Sequence, residues 1–125
     1  MGKVTVDFVA RDQPHGGWAL VLVEQGPWDA AELTEQLRRV QARLYSCLDA
    51  ALDGQVAQNF PESVGKPLII RLEAFDLPEP ELAQFFERFA SGVPKTEEYA
   101  AALKGCADYP SINFELNTSV SAYAV

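Results

Sequence analysis

The chain has 125 residues and a formal net charge of −8, from 10 Lys and Arg against 18 Asp and Glu. This length predicts a single domain over 1–125, and the hydrophobic fraction of 48% is typical of a globular chain. The acidic balance disfavours binding to nucleic acid or to an anionic membrane, whose phosphate groups attract positive charge. A basic protein partner is compatible with this charge, which ordinary solubility also explains.

The two cysteines, Cys47 and Cys106, have neither the spacing of zinc ligands nor that of a disulfide framework. Both are predicted to be small buried hydrophobes. The N-terminus lacks the apolar core of a signal peptide, and no apolar run approaches the length of about 18 residues that spans a membrane. We therefore expect a cytoplasmic protein.

The predicted elements begin with a β-hairpin. Val4, Val6 and Phe8 alternate with polar residues, as in a strand with one buried face. A turn over 11–17, which contains Pro14 and two glycines, leads to a second strand over Trp18–Glu24. Both faces of this second strand are apolar, which is typical of a strand that is covered on both sides.

A long amphipathic helix is predicted next. Asp29 is expected to cap it, with Glu32 in the first turn and Trp28 packed on Leu33. The helix is expected to end near Gly54, and its apolar stripe is Leu33, Leu37, Val40, Leu44, Cys47 and Ala51. The same spacing suits a coiled-coil seam, but it lasts fewer than three heptads beside strands, which favours a helix packed on a sheet.

The second half of the chain predicts a strand, two helices and a final strand. A polar connection over 55–65 precedes a strand over 67–75, one face of which holds Leu68, Ile70, Leu72 and Ala74. Pro80 suits the first turn of a helix, whose apolar stripe is Leu82, Phe85, Phe86 and Phe89. A short helix from Thr96 to Lys104 follows, and the last strand carries Ile112, Phe114 and Leu116.

This order, ββαβα(α)β, predicts an α+β fold, a two-layer sandwich of about four strands with the two main helices on one sheet face. The opposite face would be open, with polar side chains around an apolar centre. It is the candidate interaction face, formed by Ala19, Val21, Val23, Ile69, Arg71 and Glu73.

No catalytic, metal-binding or cofactor-binding residue is predicted. His15, the only histidine, lies in a Pro-His-Gly-Gly turn, where an exposed loop residue is expected rather than a catalytic base. Gly65-Lys66 is preceded by Phe60 where a phosphate loop has glycine, and it is followed by Pro67 instead of Ser or Thr. Pairs such as Glu97-Glu98 suit the first turn of a helix.

Three short motifs are spread along the chain: Val6-Asp7-Phe8 in the hairpin, Trp28-Asp29 at the helix start and Gly65-Lys66-Pro67 before the third strand. With these motifs the chain resembles a family of small uncharacterised bacterial proteins, a domain of unknown function. The resemblance implies the same order of elements and no activity.

The favoured hypothesis is a non-catalytic protein-interaction module, either a homodimer through the open sheet face or an acidic binder or inhibitor of a basic protein. If that face is an interface, Val21→Lys is expected to abolish association and leave the fold intact. The alternative is a small-molecule-binding protein or enzyme with a site near the 55–67 connection, where Asn59, Glu62 and Lys66 would form the pocket rim.

Overall fold

The computed structural model describes residues 8–12 and 16–118. Its strands are β1 (Phe8–Asp12), β2 (Gly17–Gln25), β3 (Leu68–Phe75) and β4 (Ile112–Asn117). Its α-helices are α1 (Leu33–Leu52), α2 (Gln55–Asn59), α3 (Glu79–Gly92) and α4 (Glu97–Lys104). This combination confirms the predicted α+β class.

The sheet has the spatial order β1-β2-β3-β4. β1 runs antiparallel to β2, whereas β2, β3 and β4 are parallel to one another. Parallel neighbours need a crossover connection, which α1 and α2 provide between β2 and β3, and α3 and α4 provide between β3 and β4.

The described part of the first strand begins at Phe8. Residues 1–7 and 13–15 lie outside the described residues, so the predicted alternation of Val4 and Val6 and the position of His15 are outside them too. Arg11 and Asp12 were expected in the turn, but they belong to β1 and pair with Trp18 and Gly17. The turn prediction was wrong at these two residues because turn-forming residue types do not prevent strand pairing at the end of a hairpin.

The main core lies between the helices and one face of the sheet. The sheet contributes Leu20 and Leu22 of β2 with Ile70 and Leu72 of β3, all at most 1% exposed. The helices contribute, from α1 and α3, Val40, Leu44, Cys47, Leu48, Leu82, Phe86 and Phe89. Burial of one such aliphatic side chain stabilises the fold by about 2 kcal/mol.

The start of α1 differs from the predicted cap. Asp29 precedes a 3₁₀ turn, Ala30–Glu32, and makes no capping hydrogen bond with its side chain. Its backbone oxygen instead accepts from the amide of Glu32 at 2.9 Å. The predicted end is confirmed, since α1 ends at Leu52 and Gly54 follows with a φ of 94°, a left-handed conformation that glycine adopts without strain.

The connection over 55–65 was predicted to be polar, and no element was assigned within it. It contains α2 and a 3₁₀ turn, Pro61–Ser63. Helices this short do not repeat an apolar position often enough to produce a periodic signal. Val56 is nevertheless 1% exposed, so the connection contributes to the main core.

The sheet face away from the helices has a buried centre. Ala19 and Val21 have no exposed surface and Ile69 is 9% exposed; with Val23 they form a second apolar cluster. The sequence predicted that this face is open, and the structure corrects this prediction for the centre of the face, which is buried. Strand periodicity assigns residues to a face, but it does not show whether that face is accessible.

Candidate functional site

A groove lies between α1 and α3 on the helical layer, with a volume of about 520 Å³. Its apolar lining includes Leu33, Leu37, Tyr45, Phe85 and Phe89. Its polar lining consists of Gln41, Glu81, Gln84, Arg88 and Thr96. We call this surface the α1–α3 groove. Its volume and mixed lining are those of a binding surface rather than of a closed core.

A second groove, of about 450 Å³, lies between the C-terminal half of α1 and α4. Three carboxylates line it, those of Asp49, Asp53 and Glu98, together with Leu52, Tyr99 and Ala102. Among the described residues that line it, none is Lys or Arg. We call it the acidic groove, because its lining favours positive charge.

Aromatic rings connect the two grooves. The ring centroids of Tyr45, in the α1–α3 groove, and Tyr99, in the acidic groove, are 5.5 Å apart. Tyr45 also packs edge-on against Phe89 at 4.9 Å, and Phe89 packs against Phe114 at 5.1 Å. This series of rings holds α1, α3, α4 and β4 together where the grooves meet.

The phenol of Tyr99 interacts with the carboxylates of the acidic groove. Its hydroxyl donates a 2.7 Å hydrogen bond to Asp49 Oδ1. Burial, this hydrogen bond and the negative charges of Asp49 and Glu98 all raise the pKa of Tyr99. Tyr99 therefore stays protonated and acts as a hydrogen-bond donor. Asp53 Oδ2 accepts a hydrogen bond from Gln55 Nε2 at 2.8 Å.

A row of residues four apart in sequence lines both grooves. Residues four apart rotate by about 40° at each step around the axis, because one turn holds about 3.6 residues. Such a row along α1 is Leu33, Leu37, Gln41, Tyr45 and Asp49, and Asp53 follows at the C-cap. In this row Leu33, Leu37 and Tyr45 are half-buried, whereas Gln41, Asp49 and Asp53 are exposed.

The sequence placed Leu33 and Leu37 in the core stripe, and it did not find this site. Four members of the predicted stripe are confirmed as buried, namely Val40, Leu44, Cys47 and Ala51, and Leu48 and Ala50 are buried beside them. Leu37 is half-buried and packs against this core. Phe85, also predicted in a core stripe, is half-buried and lines the α1–α3 groove. The sequence does contain the row of residues four apart on α1. The residues of α3 and α4 that complete the two grooves can be identified only from the packing.

An ion-pair cluster with a buried carboxylate and partly exposed arginines joins the end of β2 to α1. Glu24 is 5% exposed, and its Oε2 accepts from Arg39 Nη1 at 2.9 Å and from Arg43 Nη1 at 2.6 Å. Burial alone would raise the pKa of Glu24, but the hydrogen bonds and charges of Arg39 and Arg43 outweigh it and lower the pKa. Glu24 pairs with both arginines and so links β2 to α1, which is a structural role.

The candidate interaction face is found together on β2 and β3, as the sequence grouped it. Val21 pairs with Arg71 and Val23 with Glu73 across the two strands. Arg71 Nε donates to Glu115 Oε1 on β4 at 2.6 Å. The role of this face in association stays a prediction, and its fully buried members, Ala19 and Val21, present no surface to a partner in this conformation.

The predicted pocket rim, Asn59, Glu62 and Lys66, belongs to neither groove. Asn59 Nδ2 donates to the Gln55 carbonyl at 3.0 Å, and Lys66 Nζ donates to the Glu62 carbonyl at 2.9 Å. These are local contacts on an exposed surface. Within the same connection, Ser63 Oγ lies 2.8 Å from the hydroxyl of Tyr109, which is 2% exposed. No contact among these residues indicates a ligand.

Other reactive groups of the described residues have structural surroundings. Burial raises the pKa of the Cys47 thiol to about 12, which disfavours a nucleophilic thiolate. Cys106 is half-buried, and both thiols are free. Within 8–12 and 16–118, no group of three or more His, Cys, Asp or Glu side chains is arranged to hold a metal ion.

No protein-family model, no curated protein and no solved structure matches the chain. Its function is therefore argued from its own residues. In the part of the chain that the structure describes, no helix combines the length and the apolar character needed to cross a membrane.

Proposed function

We propose that the chain is a non-catalytic protein-interaction module that binds a basic partner protein through the acidic groove. The observation that carries this proposal is the lining of that groove, which holds the carboxylates of Asp49, Asp53 and Glu98 together with Tyr99. Positive side chains of a partner would be attracted to these carboxylates, and the whole chain adds a long-range field of charge −8.

The acidic groove favours a basic partner over a second copy of the chain. Two copies that meet through the same acidic surface place like charges together, which is unfavourable. The alternative dimer, through the sheet face, would lack the contact area of Ala19 and Val21, which are fully buried. We therefore expect a monomer by light scattering in the absence of a partner.

We also propose that the protein is not an enzyme. This part of the proposal rests on the partners of the side chains whose pKa values are shifted. Strongly shifted pKa values often mark catalytic sites. Here Glu24 is held by two arginines, Tyr99 by Asp49, and Tyr109 by Ser63. Each of these groups has a partner that explains its surroundings without a substrate.

The setting is also proposed. Two free thiols suit a reducing compartment, and we place the protein in the cytoplasm. We further propose that it belongs with the small bacterial proteins that it resembles, and that it does not bind nucleic acid, since its net charge opposes phosphate.

A matched pair of variants on α4 tests the proposal. Glu97 and Glu98 are adjacent, exposed and in the same first helical turn, but only Glu98 lines the acidic groove. The immobilised protein captures partners from a bacterial lysate, and a captured protein is identified, purified and titrated against each variant. Glu98→Lys is expected to weaken binding about tenfold more than Glu97→Lys.

The partner is expected to be basic, and its affinity is expected to fall as salt is added. Equal effects of the two variants would show that net charge, and not the groove, governs binding. A wild-type chain that captures nothing above the bare matrix, or an acidic partner, would overturn the proposed function.

A further inference from the structure

The α1–α3 groove adjoins the acidic groove and has its own apolar lining. α1 and α3 both connect parallel strands on the same sheet face, so the two helices run in the same direction. Between two such helices the side chains leave a depression that a third helix can fill with its own ridge. The depression follows α1 from Leu33 to Tyr45, which is about 18 Å of helix.

We infer that the occupant of the α1–α3 groove is an amphipathic, basic helical segment of the partner protein. This inference rests on the proposed function and specifies the partner's chemistry. Apolar side chains of the segment would contact Leu37 and Phe85, in the helix-in-groove mode of peptide recognition. Lys or Arg side chains, one helical turn away, would reach Asp49 beyond Tyr45.

Charge complementarity selects this occupant. Asp49 follows Tyr45 by one turn of α1, about 6 Å along the axis. The apolar lining and the carboxylates are therefore within reach of the same short segment. The rim of the α1–α3 groove carries both Glu81 and Arg88, which nearly cancel, so the carboxylates at its end decide the preferred charge of the ligand.

A matched pair of variants on α1 separates docking in the groove from general attraction. Gln41 and Ala42 are adjacent and exposed on α1, but only Gln41 lines the α1–α3 groove. Gln41→Arg and Ala42→Arg add the same charge and the same side chain to the same helix. Only Gln41→Arg places a bulky cation where the basic segment would lie.

The probe is a synthetic peptide of about 15 residues that contains only Leu and Lys in an amphipathic helical pattern. A scrambled peptide of the same composition, without the pattern, is its control. Fluorescence anisotropy measures both affinities, and amide chemical shifts of the full chain locate the bound peptide.

The amphipathic peptide is expected to bind about tenfold more tightly than the scrambled one. Gln41→Arg is expected to weaken its binding about tenfold relative to Ala42→Arg. Chemical-shift changes are expected along the row from Leu33 to Tyr45. Both variants are expected to keep the fold, because both substituted positions are exposed, and circular dichroism checks this.

Equal binding of the two peptides, or equal effects of the two variants, would overturn the inference. If Glu98→Lys still weakened binding of the purified partner in that case, the proposed function would stand and only the helical, groove-bound occupant would be wrong. Loss of the Glu98 effect as well would remove both.

Discussion

Arg43 on α1 holds Glu24 at the end of β2, with 2.6 Å between Arg43 Nη1 and Glu24 Oε2. Glu24→Gln is expected to lower the free energy of unfolding by about 2 kcal/mol, because Arg43 loses its counter-charge while it is 19% exposed. Arg39 is 48% exposed and stays hydrated, so its loss is small. Urea unfolding measures this. Glu115→Gln is the control, since Glu115 is 46% exposed and its pair with Arg71 contributes less than about 1 kcal/mol. Equal losses in the two variants would contradict the structural role of Glu24.

The same carboxylate makes stability depend on pH. The two arginines lower the pKa of Glu24 in the folded chain below its unfolded value. A depressed folded pKa stabilises the fold above the unfolded pKa, and this contribution is lost as pH falls through the folded pKa. Between pH 7 and pH 3, the free energy of unfolding measured with urea is expected to fall more steeply for the wild type than for Glu24→Gln. Parallel curves would exclude Glu24 as a source of the acid sensitivity.

Ser63 and Tyr109 are expected to respond unequally to removal of their hydroxyls. Ser63 Oγ donates to the Phe60 carbonyl at 2.7 Å, so the proton in the Ser63–Tyr109 bond comes from Tyr109. Tyr109→Phe leaves Ser63 with its own acceptor and should cost about 1 kcal/mol. Ser63→Ala leaves a buried phenol without an acceptor and should cost more. Thermal or urea unfolding measures the loss of stability in each variant. A larger loss in Tyr109→Phe than in Ser63→Ala would refute this assignment of the proton.

The two cysteines are expected to differ in reactivity. Burial raises the pKa of Cys47 to about 12, so the folded chain presents almost no thiolate there at pH 8. Cys106 is half-buried and is more accessible to a thiol reagent. A chromogenic disulfide reagent should label one thiol quickly in the native protein and two in urea. Cys106→Ser should abolish the fast reaction, and persistence of that reaction would point to Cys47.

Val21→Lys is expected to destabilise the fold, which corrects the expectation that it would affect association alone. Val21 has no exposed surface, so an unpaired lysine there should cost about 3 kcal/mol. Val23→Lys is the control, because Val23 lies on the same strand face and is partly exposed. Circular dichroism with urea unfolding compares them. A Val21→Lys chain as stable as the wild type would show that this side of the sheet is accessible.

Much of the fold was predictable where apolar residues repeat with a clear period. The last helix illustrates this, since its predicted span from Thr96 to Lys104 agrees with an N-cap at Thr96 and a C-cap at Gly105. β3 likewise buries Leu68, Ile70, Leu72 and Ala74 on one face, as its alternation predicts. The short helix α2 was missed because five residues contain too few repeats.

The candidate site was not predictable in the same way. Leu33 and Leu37 have the spacing of core residues, and Asp49 and Asp53 that of an ordinary solvated surface. Their shared row becomes a candidate binding surface only because α3 and α4 pack beside it. The contact between Tyr45 and Tyr99 joins residues that are distant in sequence, and no local pattern contains it.

The sequence by itself determined the α+β class, the faces of β3 and β4, the limits of α4 and the acidic charge, because these follow from residue type and from local periodicity. Only the tertiary structure decided that β2, β3 and β4 are parallel, that the centre of the sheet's second face is buried, and that Glu24 meets Arg39 and Arg43. The physical reason is that local patterns record which side of an element avoids water, whereas strand order, accessibility and charge pairing depend on which distant segments pack together.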